Sequence, residues 1–377
     1  MEGRLMRRLI TVVTILATAG ILNAQETLAG KNTCPVRSCE SGWAYRPHVA
    51  ACPPGDAKAP IPVEESRRVM CEIMNSPLLS KKVEEWTDLA LGMCHGLNKE
   101  DVAVSYLLIS RENHGAPHIG SFRGDEPMYA SSLAKLFYAV AAYKKMQDRC
   151  IVDSKIESDI EAMLRHDDHE AANRVVDFIS GTESGAALSG GDYRVFARKR
   201  NWANRYFKEV GFEKVNVNQK FWTDTPSPRD LQLLGEKLPL NFENSNRVTA
   251  DEAAQLLYLI WADAIVSKDA CEKIKSMISR RVEQDKLGVL QGIAAGLPSG
   301  SKMWGVKGFT HQNFNEVALV QLPNGQTYVL CVLTRYADHV KNFSTQVSRV
   351  AAHRGLTRTG DNDINNAFLV PPRSGAE

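Results

Sequence analysis

The stretch Met128-Tyr-Ala-Ser-Ser-Leu-Ala-Lys-Leu-Phe-Tyr-Ala-Val-Ala-Ala-Tyr-Lys-Lys-Met146 determines how the rest of the chain is interpreted. Within it, Ser132 and Lys135 are three residues apart and precede a run that is almost wholly apolar. Residues three apart on a helix share a face, so a hydroxyl and an ammonium group can meet there. The run itself predicts a helix buried in a core, because it leaves almost no polar side. The alternative is that Ser132 caps the helix and Lys135 lies along the surface.

Composition bounds the class of protein. The chain has 377 residues, of which 44% are hydrophobic and 24% charged, as is ordinary for a soluble globular protein. The formal net charge is only +2, and basic and acidic residues are scattered along the chain. We therefore expect neither nucleic acid nor an anionic membrane surface as a partner.

The first 24 residues have the pattern of a secretory signal peptide. Arg4, Arg7 and Arg8 precede an apolar run over residues 9–22, and Ala24 offers a small residue for cleavage. The run is too short and too rich in small residues to span a membrane comfortably, and no later stretch is long and apolar enough. We expect a secreted or periplasmic protein with no membrane span after signal removal.

Eight cysteines agree with an exported protein. Four of them lie between Cys34 and Cys71, within or just after a segment rich in proline and cysteine over residues 25–62. In an oxidising compartment such crowding predicts disulfides, whose connectivity the sequence does not give. A zinc site is the alternative, but Cys34 and Cys39 have no matching second pair at ligand spacing. Cys331 lies in an apolar run and is either a buried thiol or the partner of a distant cysteine.

Helical and strand-like segments alternate in an order that predicts one sheet. Apolar side chains recur at helical spacing over residues 63–97. Two strands are predicted next, over 102–110 and 118–122, and they lead directly to Ser132. Residues 151–287 are mostly helical, apart from loop-like stretches over 181–191 and 223–246. Three strands are predicted near the C-terminus, over 303–310, 315–322 and 327–334.

The two ends of the chain therefore contribute strands, and the middle contributes helices. Pro323-Asn324-Gly325 between the last two strands is a strong hairpin signal. A final helix is predicted over 343–353, and the tail 357–377 is predicted to be disordered. We expect an α/β (α+β) domain over 63–356, with an antiparallel sheet from both chain ends flanked by helices and an inserted all-helical lobe over 151–287.

This order, together with Ser132-Leu-Ala-Lys135, resembles the serine β-lactamase and penicillin-binding protein family, most closely its class A members. The resemblance extends over about residues 65–355 and implies the β-lactamase/transpeptidase-like fold. It implies an exported serine hydrolase or acyltransferase that acts on a small-molecule or peptide-like amide or ester, without a cofactor. Ser132 would form an acyl-enzyme and Lys135 would accept its proton. Backbone N–H groups of Ser132 and of the late strand near Thr310 would form the oxyanion hole.

The second family motif, Ser-Asp-Asn, is altered. Ala171-Ala172-Asn173 fits the downstream part of that motif, which places Asp167 and His169 at its serine and asparagine positions. Asp167 would transfer a proton if burial raised its pKa, and His169 would hydrogen-bond the substrate. Two alternatives remain open: a metal site that includes His166 and His169 on one helical face, which we do not expect because adjacent aspartates point apart, and a solvated loop.

The third family motif, Lys-Thr/Ser-Gly, is disturbed in the segment from Trp304 to Thr310. If Gly308 is the family glycine, Val306 occupies the lysine position and Lys307 points away from the cleft, since neighbours on a strand face opposite sides. If Lys307 is the family lysine, Phe309 replaces the glycine. The substrate-binding candidates are Lys307, Gly308 and Thr310, with Lys307 as an ordinary solvent-facing lysine as the alternative.

A glutamate that activates water in some family members has no clear counterpart. The corresponding loop would lie within 217–246. Its candidates are Asp224, Asp230, Glu236 and Glu243. Because two of three motifs are altered, ordinary penicillin turnover is not expected. The competing hypothesis is a catalytically impaired relative that binds a peptide, glycan or protein partner in the cleft.

Overall fold

The sheet and its helices are described by a computed structural model. It describes residues 58–94, 96–109, 116–221, 227–235, 244–287, 292–310, 313–335 and 340–356, all within one compact unit, Tyr45–Glu377. The predicted signal peptide, nearly all of the segment 25–62 and the tail 357–377 lie outside these residues. So do Cys34, Cys39 and Cys52, on which the predicted disulfides depend.

Seven of the strands form one sheet in the order β1-β3-β2-β9-β8-β7-β6, and β4 pairs with β5 in a separate ribbon. β1 runs parallel to β3, and the other pairs are antiparallel. The strands are β1 Met74–Asn75, β2 Val102–Ile109, β3 His118–Phe122, β4 Met128–Tyr129, β5 Arg247–Val248, β6 Ser279–Arg280, β7 Lys302–Thr310, β8 Asn313–Gln321 and β9 Thr327–Thr334.

Helices cover both faces of the sheet. They are α1 Val63–Cys71, α2 Pro77–Gly92, α3 Ala134–Asp148, α4 Ser154–Arg165, α5 His169–Ser180, α6 Gly190–Arg200, α7 Trp202–Val210, α8 Pro228–Leu234, α9 Ala250–Trp261, α10 Lys268–Met277, α11 Val282–Leu287, α12 Gly292–Ala295 and α13 Val340–Leu356. Short 3-10 turns, Lys99–Asp101 and Ser131–Leu133, precede β2 and α3.

Alternation along the strands divides the apolar core between the two faces of the sheet. Val306 on β7 and Val317 on β8 face the cluster that contains α3, α9 and the helices of the middle region. Met303 and Ala318 face the other cluster, which contains residues of α2 and α13. α3 is buried on nearly every side, as the apolar run after Ser132 predicts, because it passes through the first cluster.

The predicted sheet flanked by helices is confirmed, with corrections to individual elements. The inserted lobe over 151–287 is not all-helical, because it contains the two-residue strands β5 and β6. β3 and β9 have the predicted bounds, and the sheet does combine strands from both ends of the chain. The continuous helix expected over 63–97 is instead α1 and α2, with the two-residue β1 between them. The loop expected over 223–246 contains α8, because Ser227 caps it and Pro228 occupies its first turn.

Candidate active site

Ser132 lies in the 3-10 turn Ser131–Leu133, directly before α3, and is buried. Ser131 has a φ of +51°, and Asp167, across the site, has a φ of +56°. Side-chain-bearing residues in this region cost about 1–3 kcal/mol each and persist only where the surroundings fix them. One such residue directly precedes the predicted nucleophile and the other bonds to Lys135, as is common at functional sites.

Strand β7 packs directly against the backbone of the turn that contains Ser132. A Cβ atom on Gly308 would lie 2.8 Å from the Leu133 nitrogen and 2.9 Å from the Ser132 nitrogen, so only glycine allows β7 to come this close. Asn315, fully buried on β8, donates from its Nδ2 to the Tyr129 carbonyl at 2.7 Å, just before the turn. Sequence reasoning did not identify Asn315, and its only signal was a polar residue near the start of a strand whose second half is apolar.

Lys135 is the second residue of α3, and its side chain is only 1% exposed. Its Nζ donates to the Asp167 carboxylate at 2.5 Å and to the Asp167 carbonyl at 2.8 Å. It also lies 5.0 Å from the centre of the Phe221 ring. Burial lowers the pKa of Lys135 below its ordinary value, against the opposing effect of the Asp167 carboxylate. The alternative of a surface lysine is therefore wrong.

Asp167 lies in the turn between α4 and α5 and is more exposed to solvent than His169, two residues later. The Asp167 side chain is 63% exposed even though it bonds to Lys135. His169 begins α5, and its ring centre is 5.6 Å from that of Phe221. Asp168 caps α5 by accepting from the Ala171 nitrogen at 3.0 Å, and this bond lowers the pKa of the Asp168 carboxyl. The substrate contacts predicted for Asp167 and His169 stay predictions.

The metal alternative required His166 and His169 on one helical face. They belong to different elements: His166 is the C-cap of α4, and His169 is the first residue of α5. No group of three or more histidine, cysteine or carboxylate side chains within the described ranges is arranged to hold a metal ion.

On β7, the close approach at the turn is made by Gly308, as expected for the family glycine. Val306 then takes the lysine position and faces the core cluster of α3, whereas Lys307 pairs across the sheet with Glu316 on β8. The Lys307 Nζ is 3.7 Å from Asp285 Oδ2 and 3.8 Å from Glu316 Oε1. Lys307 is thus a nearly buried member of an ionic cluster, and the solvent-facing alternative is wrong. Burial raises the pKa of Glu316.

A cavity of about 360 Å³ brings the two altered motifs together. Lys135 and Asp167 lie on one side, and Val306, Lys307 and Phe309 lie on the other. Thr310 is at the end of the β7–β8 hairpin, where its hydroxyl donates to Asn313 Oδ1 at 2.5 Å. Gly308, two residues earlier, is the residue of β7 that lies against the Ser132 nitrogen.

The chain is similar to known proteins in part of its sequence and in its fold. Residues 197–354 match the family model described as "Beta-lactamase enzyme family". The structure is similar to those of PBP-A (TM-score 0.50, 16% identity, 72% of this chain and 96% of that chain), TLA-1 extended-spectrum β-lactamase (0.54, 12%, 74% and 99%) and the class A β-lactamase from Mycobacterium abscessus (0.51, 14%, 72% and 99%). The chain therefore has a β-lactamase-like fold. No match was found among curated protein sequences.

The resemblance stated from the sequence is thereby confirmed, and so is the predicted fold. The matched residues begin after Ser132 and Lys135, so the roles of that pair stay predictions. No helix in the described part of the chain is long and apolar enough to cross a membrane.

A phenylalanine, Phe221, faces Lys135 from the loop between α7 and α8. Asn173 of α5 holds Phe221 by both its backbone groups: Asn173 Oδ1 accepts from the Phe221 nitrogen at 2.7 Å, and Asn173 Nδ2 donates to the Phe221 carbonyl at 3.1 Å. Two residues before Phe221, the Gln219 nitrogen donates to Asn246 Oδ1 at 3.0 Å. No sequence signal pointed to Phe221, because its position depends on these distant amides.

Among the loop carboxylates, Asp230 has a structural role. It forms an ion pair with the buried Arg200, and its other oxygen accepts from the hydroxyls of Ser184 and Ser227. The three remaining candidates, Asp224, Glu236 and Glu243, lie outside the described residues.

Proposed function

We propose that this chain is an exported serine hydrolase or acyltransferase that attacks an amide or ester through Ser132. The observation that carries the proposal is the environment of Lys135. This lysine is buried one turn after Ser132, its pKa is lowered by burial, and it borders a cavity large enough for a small molecule. A lysine with a lowered pKa is a suitable base for activating a hydroxyl near neutral pH.

In the proposed reaction, Ser132 Oγ attacks the carbonyl carbon while its proton moves to the neutral Lys135 amine. The negative charge on the former carbonyl oxygen is stabilised by the Ser132 N–H and by a second backbone N–H of β7 beside Gly308. Collapse of this intermediate breaks the bond to the leaving group, which takes up the proton. The acyl group remains on Ser132 as an ester.

Release of that ester is proposed to be slow in water. The loop presents the apolar ring of Phe221 to Lys135, and a ring cannot activate water. Asp230, a candidate water activator, forms an ion pair with Arg200 instead. An acyl-enzyme without an efficient water activator persists or is transferred to another nucleophile. A variant of PBP-A, 18% identical over 74% of this chain and with a TM-score of 0.50, is described as an acyl-enzyme complex with penicillin G, which supports a penicillin as a probe.

The second candidate function is a binding protein that has lost catalysis. The direct bond between Lys135 and Asp167 favours it, because a lysine held as an ammonium ion by a carboxylate is a poor base. Val306 at the family lysine position also favours it, since it removes a cation from the side that would hold a substrate carboxylate. Such a protein would bind its peptide, glycan or partner without forming a covalent bond.

Labelling distinguishes the two functions. The mature protein is treated with a fluorescent penicillin and separately with a fluorophosphonate, and the labelled peptide is identified by mass spectrometry. We expect label on Ser132 and none in Ser132→Ala, with Ser131→Ala tested alongside to locate the reactive hydroxyl. A folded protein that reacts with neither probe supports the binding function and contradicts the hydrolase.

His169 provides a second test. We expect His169→Ala to lower any esterase rate while the circular dichroism spectrum stays unchanged, because His169 borders the site through Phe221. An esterase rate in folded His169→Ala that equals the parent's would remove His169 from the mechanism.

A further inference from the structure

Four cations from three helices lie together on one surface of the helical region, which we call the basic face. They are Lys145 and Arg149 at the end of α3, Arg198 in the last turn of α6 and Arg205 of α7. Arg205 Nη1 donates to the Arg198 carbonyl at 2.7 Å. Burial lowers the pKa of Lys145, and the positive charges of Arg149 and Arg205 lower it further. The four cations are therefore close enough to repel one another.

No carboxylate of the described residues forms an ion pair with any of these four cations. Asp148, beside Arg149 in sequence, bonds to Lys144 instead, and Glu209 acts on Arg205 only from beyond ion-pair distance. Helix dipoles favour cations at the ends of α3 and α6, but Arg205 lies in the first half of α7, where the dipole does not favour one. Like charges without compensation favour an anionic partner.

Apolar side chains accompany the basic face. Lys145 Nζ lies 4.2 Å from the centre of the half-buried Trp202 ring. Just after Arg149, Ile151 is 41% exposed and Val152 is 78% exposed. Exposed aliphatic side chains beside cations and a tryptophan are typical of surfaces that enter lipid headgroups. A nucleic acid would use the cations but would leave both aliphatic side chains in water, so the combination favours a membrane.

We propose that the basic face binds the surface of a membrane that contains anionic phospholipids. Its ammonium and guanidinium groups donate to lipid phosphates, while Ile151 and Val152 enter the boundary between headgroups and acyl chains. The net charge of +2 pointed away from such a partner, because it averages these cations with acidic residues elsewhere in the chain. Binding does not involve Ser132, so it is independent of the proposed hydrolase.

Sedimentation of the full mature chain with lipid vesicles tests the proposal. Vesicles of phosphatidylglycerol and phosphatidylcholine in equal amounts are compared with vesicles of phosphatidylcholine alone, at low and at high salt. We expect binding at least about tenfold tighter to the anionic vesicles at low salt. High salt should remove most of that difference, because it screens the attraction. Glycerol phosphate at the same phosphate concentration should displace little of the protein, since it offers no apolar boundary.

Substitutions locate the surface. The double variant Arg198→Gln/Arg205→Gln is expected to weaken binding to anionic vesicles at least about tenfold, and Val152→Ser at least about threefold. The matched control is Lys81→Gln/Lys82→Gln, which removes two exposed cations of α2 that also form no ion pair with described residues. This control should bind within about twofold of the parent, because α2 is outside the basic face.

Four results would each overturn the proposal. They are equal binding to the two kinds of vesicle at low salt, equal weakening by the arginine pair and the lysine pair, complete displacement by glycerol phosphate, and tighter binding to a single-stranded oligonucleotide than to anionic vesicles. Circular dichroism shows whether each variant is folded. Arg149→Gln provides the same test if the arginine pair does not fold.

Discussion

The two walls that enclose Ser132 and Lys135 are built in different ways. The first, which we call the strand wall, is formed by β7 and β8. It is held to the turn Ser131–Leu133 by close contact at Gly308 and by the buried amide of Asn315. The second, which we call the loop wall, is formed by Gln219–Phe221. Asparagine side chains hold its backbone and so place Phe221 over Lys135. The strand wall therefore fixes where the nucleophile lies, whereas the loop wall sets the surroundings of the amine beside it. The surroundings of Lys135 can therefore change while the position of Ser132 is kept.

Gly308→Ala is expected to have the largest effect, because it acts on the strand wall at its closest contact. The new Cβ would meet three backbone atoms at 2.8–3.0 Å, and backbone yields less easily than a side chain. We expect a loss of at least about 1–3 kcal/mol in the free energy of unfolding, typical of overpacking, together with loss of Ser132 labelling. Urea denaturation and the fluorescent penicillin measure the two.

Gly92→Ala is the matched control for that substitution. No atom lies within 4 Å of a Cβ at Gly92, which is the last residue of α2. We expect its unfolding midpoint and its labelling to equal those of the parent or to rise slightly. Equal destabilisation by the two substitutions would mean that the contact at Gly308 does not hold the turn.

Asn315→Leu and Asn173→Leu compare the two walls directly. Asn315→Leu leaves the Thr334 nitrogen without its partner, at a cost of about 1–3 kcal/mol for a buried group. The Tyr129 carbonyl keeps only its longer bond, from Asn313 Nδ2 at 3.3 Å. We expect this variant to lose stability and labelling together. Asn173→Leu frees the Phe221 backbone and is expected to alter the pH dependence of labelling more than the labelled fraction. The reverse pattern would show that the loop wall positions the nucleophile.

Phe221→Glu tests whether the loop wall is what slows release of the acyl group. A carboxylate in place of the ring would lie near Lys135 and act as a general base toward water. We expect release of the penicillin label from Ser132 to accelerate about a hundredfold, the low end of general-base effects. Phe221→Gln, of similar size but without a basic carboxylate, should release the label as slowly as the parent. Equal release by the two variants would exclude a base at this position.

The sequence predicted the strand wall better than the loop wall, for a physical reason. The strands β7 and β8 were predicted to within two residues from local alternation, and the burial of α3 was predicted from the almost wholly apolar run after Ser132. Both predictions use only neighbouring residues. The strands β1, β5 and β6 contain two residues each, too few for any periodic signal. Phe221 owes its place to Asn173, which lies 48 residues away in sequence, and no local pattern contains that contact.

The smallest expected effect concerns the charge beside Lys135. The Asp167 carboxylate stabilises the ammonium form and so opposes the lowering of the Lys135 pKa by burial. Asp167→Asn removes that opposition, so the Lys135 pKa should fall further, and the pH at which labelling reaches half its maximum rate should fall with it. Asp168→Asn is the matched control, because Asp168 affects Lys135 less and asparagine can still cap α5. It should move the midpoint less, in the same direction. A midpoint that rises in Asp167→Asn would mean that the neutral amine of Lys135 is not the group that activates Ser132.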